Sequence, residues 1–147
     1  MTKFFIDPDI TKAETLPAQF YKSQEVFDTL KELVFVKSWQ WIGNANTLVP
    51  LTESAYPLVL LENFLTEPLL VVRDKESTVK CFTNVCTHRG NIVCNTPGKM
   101  KTLSCMYHGR KFGLDGTFKF MPEFKEAKDS PRPCDGLHEF SLRQLGD

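Results

Sequence analysis

Two short segments of this chain each combine one cysteine with one histidine. The first contains Cys86 and His88 and the second contains Cys105 and His108, with 16 residues (89–104) between them. A structural zinc site usually takes its ligands as like pairs, two cysteines from one arm and two histidines from the other. One thiolate and one imidazole on each arm instead suit a two-metal cluster in which each arm gives one ligand to each metal. The pattern therefore predicts an iron–sulfur centre held by these four side chains.

The residues next to these ligands extend the pattern. Arg89 and Gly90 follow the first pair, and Tyr107 and Gly109 flank the last histidine. These strings resemble the Rieske [2Fe–2S] motif, and in particular the N-terminal part of the large (α) subunit of Rieske-type ring-hydroxylating non-haem iron oxygenases. The resemblance covers nearly the whole chain. It implies a cofactor, a fold and a function that the residues alone do not state.

The implied cofactor is a Rieske-type [2Fe–2S] cluster with an asymmetric ligand set. Cys86 and Cys105 would hold one iron as thiolates, and His88 and His108 would hold the other as neutral imidazoles. Two histidines in place of two cysteines raise the reduction potential into a range of roughly −150 to +300 mV. We therefore expect these four residues to be both the cofactor-binding and the metal-binding residues of the chain, which has no catalytic residue of its own.

Two positions distinguish branches of this family. The respiratory Rieske proteins of cytochrome bc complexes have an additional cysteine in each ligand segment, and the two form a disulfide. Asn91 and Tyr107 occupy those positions here, so the respiratory branch is not indicated. Many oxygenase members have tryptophan directly after the His-Gly pair, whereas this chain has Arg110.

An oxygenase of this family needs a second, mononuclear iron, held by two histidines and a carboxylate. The chain has three histidines, and two are assigned to the cluster. The third, His138, is predicted to be a surface residue. We therefore expect this chain to be the Rieske part of an oxidoreductase. The oxidoreductase would be a dioxygenase or monooxygenase component, and this chain alone would be inactive. It would pass electrons from a reductase or ferredoxin to a mononuclear iron in a catalytic domain outside this chain, within a full-length protein that is a homo-oligomer.

Two other functions fit parts of the pattern. A stand-alone Rieske ferredoxin would shuttle electrons between a reductase and an oxygenase. The segment 16–43 resembles the region ahead of the Rieske domain in oxygenase α subunits and favours the oxygenase. A zinc-stabilised interaction module is disfavoured by the mixed pairs.

Bulk properties point to a cytoplasmic protein. The 18 basic and 18 acidic side chains cancel, which gives no reason to expect a nucleic acid or an anionic membrane as partner. The longest apolar stretches, 57–61 and 68–72, are too short to span a bilayer, and the N-terminus does not read as an export signal. Five cysteines are an odd number for a disulfide framework. Cys81 is predicted to be a core residue.

The remaining sequence predicts an all-β domain after a helical lead-in. Residues 1–38 read as a lead-in with an amphipathic helix over 24–37 capped by Ser23, and 39–147 as the Rieske [2Fe–2S] domain. The predicted strands are 39–43, 57–64, 69–73, 78–83, 102–104, 110–112, 117–120 and 139–145. Asp115-Gly116 predicts a hairpin, and 121–136 an extended surface segment. Short strands without alternating helices indicate an antiparallel sandwich or partial barrel with two cluster-binding loops.

Several side chains near the ligands have two interpretations each. The basic residues Arg89, Arg110, Lys111, Lys99 and Lys101 predict either a docking face for an acidic electron donor or a solvated edge. The Tyr107 hydroxyl could donate to a cluster sulfur, or the ring could belong to the core. Trp39 and Trp41 are predicted to be core residues.

Overall fold

The computed structural model describes residues 3–124 and 126–146, so Met1, Thr2, Lys125 and Asp147 lie outside the described residues. The chain forms two compact units, Met1–Trp41 and Ile42–Asp147. No helix in the described part of the chain is long and apolar enough to cross a membrane.

The described residues of the first unit form two helices, α1 (Ala18–Lys22) and α2 (Gln24–Leu33), and a 3-10 turn over Phe35–Lys37. The Ser23 side chain accepts a hydrogen bond from the Val26 amide at 3.3 Å, which confirms the predicted N-cap. The predicted helix over 24–37 is too long. The run Val34-Phe35-Val36 explains the early end, because β-branched and aromatic side chains lose rotamer freedom in a helix.

Trp39 and Trp41 contradict their prediction as core residues. Their side chains are 59% and 73% exposed. The predicted strand over 39–43 is also wrong, since these residues form no strand. In the second unit, the Asn44 side chain accepts a hydrogen bond from the Asn46 amide at 2.8 Å and caps a short helix, α3 (Ala45–Leu48).

The described part of the second unit contains eight strands, β1 (Ser54–Leu60), β2 (Glu67–Arg73), β3 (Val79–Thr83), β4 (Gly98–Lys99), β5 (Leu103–Ser104), β6 (Lys111–Phe112), β7 (Phe118–Phe120) and β8 (Glu139–Phe140). They form two antiparallel sheets, the first in the order β4-β1-β2-β3-β8 and the second in the order β5-β6-β7. This arrangement confirms the predicted antiparallel all-β class.

The strand β2 separates two apolar clusters. Four consecutive side chains of β2 are buried, Leu69 to Val72, and successive strand residues point to opposite faces. Leu70 and Val72 pack in one cluster with Phe82, Leu103 and Phe112. Leu69 and Val71 pack in the other. The first cluster also contains both cysteines of the predicted metal centre, so the site is joined directly to the main core.

Several segments of the second unit differ from the sequence prediction, and the strand predicted over 57–64 lies instead at Ser54–Leu60. The strand β4 is absent from that prediction, and β8 ends at Phe140 rather than at position 145. The segment 121–136 contains a 3-10 turn, Pro133–Asp135. Asp135 in this turn is buried, so the prediction of an extended surface segment is wrong at this turn.

The hairpin between β6 and β7 turns at Asp115-Gly116, as predicted. The Gly113 amide donates to the Thr117 carbonyl at 2.8 Å, and the Asp115 carboxylate accepts from the Thr117 amide at 3.1 Å. Gly116 has a φ of +79°. A Cβ there would lie 2.5 Å from the ring of Phe82, which is 1% exposed. The turn therefore requires glycine for both its conformation and its packing.

We expect Gly116→Ala to lower the free energy of unfolding by about 2–4 kcal/mol, because it adds overpacking to a strained φ. Urea unfolding followed by circular dichroism measures the change. Gly146→Ala is the control, since Gly146 has the same φ of +79° and a Cβ added there would have no atom within 4 Å. Equal stability of the two variants would contradict the packing argument.

Candidate metal centre

The two predicted ligand segments form loops with the same backbone pattern. We call residues 86–91 loop 1 and residues 105–110 loop 2. In loop 1 the Gly90 amide donates to the Cys86 carbonyl at 3.0 Å, and in loop 2 the Gly109 amide donates to the Cys105 carbonyl at 3.0 Å. The two glycines have φ values of +70° and +71°, which favour glycine. This equivalence places one cysteine at the start of each loop.

Each loop closes onto a hairpin stem. The Cys86 amide donates to the Asn91 carbonyl at 2.8 Å, and the Cys105 amide donates to the Arg110 carbonyl at 2.8 Å. Beneath loop 1, the Asn84 side chain donates to the Cys94 carbonyl at 2.8 Å and accepts from the Cys94 amide at 2.9 Å. Beneath loop 2 the stem is the β5–β6 pair. Both loops are therefore hairpin tips, and hydrogen bonds hold the base of each loop together.

The thiols of Cys86 and Cys105 meet between the loops. The two residues are 3% and 2% exposed, and each thiol shifts the pKa of the other. Burial, together with the neighbouring thiol, raises the pKa of Cys86. Burial also acts to raise the pKa of Cys105, but hydrogen bonds from the Tyr107 amide, the Cys86 thiol and the Asn91 side chain lower it overall.

The imidazoles of His88 and His108 meet on the outer side of the loops. Both residues are half-buried, and their ring centres are 4.8 Å apart. Two imidazoles bound to one metal at about 2.1 Å and a near-tetrahedral angle have ring centres roughly 5 Å apart. Burial, the nearby His108 ring and two nearby arginines lower the pKa of His88. A lowered pKa favours the neutral imidazole, the form that binds metals.

This side-chain set fits a binuclear cluster. Within residues 3–124 and 126–146, no group of three or more histidine, cysteine, aspartate or glutamate side chains could hold a single metal ion. A cluster with two thiolates on one iron and two imidazoles on the other needs no such group. The paired thiols and the paired rings match that division.

The comparison with known families decides the assignment. Residues 38–139 match the family model described as the Rieske [2Fe–2S] domain. This chain belongs to that family. The family implies that the cofactor of this Rieske domain is a Rieske-type [2Fe–2S] cluster.

The relatives of this Rieske domain are oxygenase subunits. The carnitine monooxygenase oxygenase subunit of Acinetobacter baumannii is 36% identical over 138 residues, which are 93% of this chain and 33% of that protein. The biphenyl dioxygenase α subunit of Paraburkholderia xenovorans is 32% identical over 113 residues, 76% of this chain and 24% of that one. This chain therefore spans about a third or less of their length and is homologous to their Rieske part.

The comparison with a solved structure supports the same family assignment. The crystal structure of a quaternary ammonium Rieske monooxygenase in complex with L-carnitine superposes with a TM-score of 0.78 and 26% identity, over 89% of this chain and 36% of that one. The shared architecture confirms the predicted Rieske fold.

Asp135 joins both loops of the Rieske domain, although it is distant from them in sequence. Its carbonyl accepts from the Thr87 hydroxyl of loop 1 at 2.8 Å. Its carboxylate accepts from the Arg110 guanidinium of loop 2 at 2.8 Å and from the Arg132 amide at 2.7 Å. One residue of the 3-10 turn thus connects loop 1 to loop 2.

The prediction of Arg110 as part of an exposed basic face is wrong. Arg110 is 4% exposed, and its guanidinium lies 4.8 Å from the centre of the Phe118 ring. Its charge is directed into the interior and paired with Asp135, so it cannot belong to a docking surface. Arg89, Lys99, Lys101 and Lys111 are exposed.

Other predictions near the site have mixed outcomes. Tyr107 is 58% exposed with its ring centre 3.9 Å from that of His108, so its prediction as a core aromatic is wrong. His138 is exposed and Cys81 is buried, as predicted. All five cysteines lie within the described residues and are free thiols.

We expect Asp135→Asn to lower the free energy of unfolding by roughly 3 kcal/mol at pH 7, because it leaves the buried Arg110 charge unpaired. Hydrogen bonds from the Arg132 amide and Arg110 lower the pKa of Asp135. The carboxylate therefore stabilises the fold above its unfolded pKa of about 3.9, and this contribution is lost as pH falls through the folded value. The difference between the two proteins should shrink below about pH 4.

Urea unfolding from pH 7 to pH 3 measures this effect. Glu139→Gln is the matched control, because it breaks the Lys80–Glu139 pair, whose side chains are 33% and 51% exposed. That exposed pair should contribute less than about 1 kcal/mol. A loss for Asp135→Asn as small as the control, or one independent of pH, would contradict the role of the buried pair.

Proposed function

We propose that Cys86, Cys105, His88 and His108 hold the Rieske cluster. The observation that supports this most directly is the opposite burial of the two pairs. The thiols are closed into the apolar core, and the imidazoles lie 4.8 Å apart on the outer side. When bound, the cluster supplies one-electron transfer. The half-buried imidazoles would then be the point where an electron enters or leaves and where a proton is lost on oxidation.

We further propose that this domain transfers electrons within a ring-hydroxylating-type oxygenase. The donor would be a reductase or ferredoxin, and the acceptor a mononuclear non-haem iron in a catalytic domain of a homo-oligomer. The names of the relatives include carnitine, glycine betaine and biphenyl. Subunits that act on such different compounds share this part, which supports a role in electron delivery rather than substrate choice.

The surroundings of the cluster support a polar docking face and a reducing compartment. Arg89 of loop 1 and Lys111, directly after loop 2, are exposed and would attract an acidic donor at low ionic strength. A cytoplasmic location is our proposal from the sequence, and the three cysteines outside the proposed cluster, which form no disulfide, fit it.

Spectroscopy of the purified protein tests the ligand assignment. We expect two irons and two sulfides per chain, visible absorbance, and after reduction the rhombic electron paramagnetic resonance (EPR) signal of a mixed-ligand binuclear cluster. Zinc is silent in both methods. A protein with stoichiometric zinc and neither signal would overturn the proposal.

A further inference from the structure

Asn91 lies at the end of loop 1, and its side chain crosses to loop 2. Its amide nitrogen Nδ2 is 3.6 Å from Cys105 Sγ and 2.8 Å from the carbonyl oxygen of Ile92. Sulfur is larger than oxygen, so a hydrogen bond to sulfur is longer than the usual 2.7–3.2 Å for N–H···O. Both contacts are therefore hydrogen bonds from the same NH₂ group.

The carbonyl of Ile92 fixes the orientation of this amide. A backbone carbonyl only accepts hydrogen bonds, so it must face the NH₂ end of Asn91 and not its oxygen. The NH₂ group has two hydrogens, one for Ile92 and one for the sulfur. The sulfur of Cys105 therefore faces a donor.

The two loops differ at this position, although their backbones are equivalent. Arg110 of loop 2 corresponds to Asn91 of loop 1, since each carbonyl accepts from the amide of its loop's cysteine. Arg110 donates to Asp135 at 2.8 Å, while Asn91 donates to the cysteine of the opposite loop. Cys105 thus accepts a hydrogen bond from a side chain of the opposite loop. The equivalent residue of loop 2, Arg110, donates to Asp135 instead.

We propose that Asn91 raises the reduction potential of this Rieske domain by donating a hydrogen bond to the Cys105 thiolate. The proposal rests on the ligand assignment above. An added electron increases the negative charge on the ligand sulfurs, and a donor stabilises the more negative state more strongly. Groups that hydrogen-bond to metal ligands tune the metal in this way. Asn91 is therefore a tuning residue and not a ligand.

Two substitutions at Asn91 test the proposal through the midpoint potential of the loaded protein, measured by redox titration with EPR detection. Asn91→Leu keeps a similar size and removes the donor, so the potential should shift to a more negative value. Asn91→Asp keeps the shape, removes the donor and adds a charge, so its shift should be larger in the same direction. Asn95→Leu is the matched control, because Asn95 is exposed in the following segment, and its potential should not change.

The outcomes separate this inference from the proposed function. If the Asn91 variants keep the Rieske EPR signal and their potential stays unchanged or rises, the inference is overturned and the function stands. If Asn91→Leu does not retain a cluster, the midpoint potential of Asn91→Asp alone tests the inference: an unchanged or higher potential overturns it. If the unmodified protein shows no such signal, the ligand assignment fails and this inference fails with it.

Discussion

Cys86→Ser should lose most of the bound iron and melt at a lower temperature than the unmodified protein. A thiolate binds iron strongly at neutral pH, whereas a serine hydroxyl stays protonated and is a poor ligand for it. Because metal binding and folding are coupled, losing one of two sulfur ligands also removes a restraint between loop 1 and loop 2. Iron content per chain and the melting temperature measure the two effects.

Cys94→Ser is the matched control for this prediction. Cys94 is also buried, and its thiol donates to the Thr96 carbonyl at 3.2 Å, a bond that a serine hydroxyl can make as well. The control therefore introduces the same polar atom at a buried site beside the same loop. It should keep its iron. Full iron content and an unchanged melting temperature in Cys86→Ser would refute the role of Cys86 as a ligand.

The features predicted well from sequence depend on local patterns. The two loops, 86–91 and 105–110, and the Asp115-Gly116 hairpin each rest on a few adjacent residues, because positive φ and turn chemistry are properties of short segments. The antiparallel class follows from many short strands with turns between them. The strand β4 (Gly98–Lys99) has no strand pattern in the sequence, because its first residue belongs to the Pro97-Gly98 pair, which is typical of a turn.

The features that sequence does not predict depend on contacts between distant residues. Arg110 is the last residue of loop 2 and its neighbours in sequence favour a surface cation, yet its partner Asp135 lies 25 residues away. The Thr87 hydroxyl reaches the same residue across 48 positions. Asp135 occurs in a proline-rich charged segment whose composition is typical of surface chain. A carboxylate beside Pro133 in such a segment gives no sequence signal that it will be buried.

Asn91 carries a sequence signal beyond the absence of a disulfide cysteine at its position. Asn91 and Arg110 each lie five positions after the cysteine of their loop, and this spacing indicates that the two residues are equivalent. The sequence does not indicate which of the two turns towards a sulfur, because that depends on the burial of Asp135.

The second large effect concerns the nitrogen ligands. His108→Cys should retain a cluster whose midpoint potential is lower by at least on the order of 100 mV, since Rieske centres lie at roughly −150 to +300 mV and plant-type centres with four cysteines near −400 mV. A thiolate replaces a neutral imidazole, so the electron joins a site with one more negative charge. The side chain of His108 is half-buried beside the exposed Tyr107 ring, and the smaller cysteine fits there without a clash.

His138→Cys separates the ligand effect from the addition of a thiol. His138 is exposed, with its ring centre 5.0 Å from that of Phe140 at the edge of the first sheet, so this variant should keep the potential of the unmodified protein. A midpoint potential that rises or stays constant in His108→Cys would show that the charge of this ligand does not set the potential, and the asymmetric assignment of sulfur and nitrogen ligands would then be wrong.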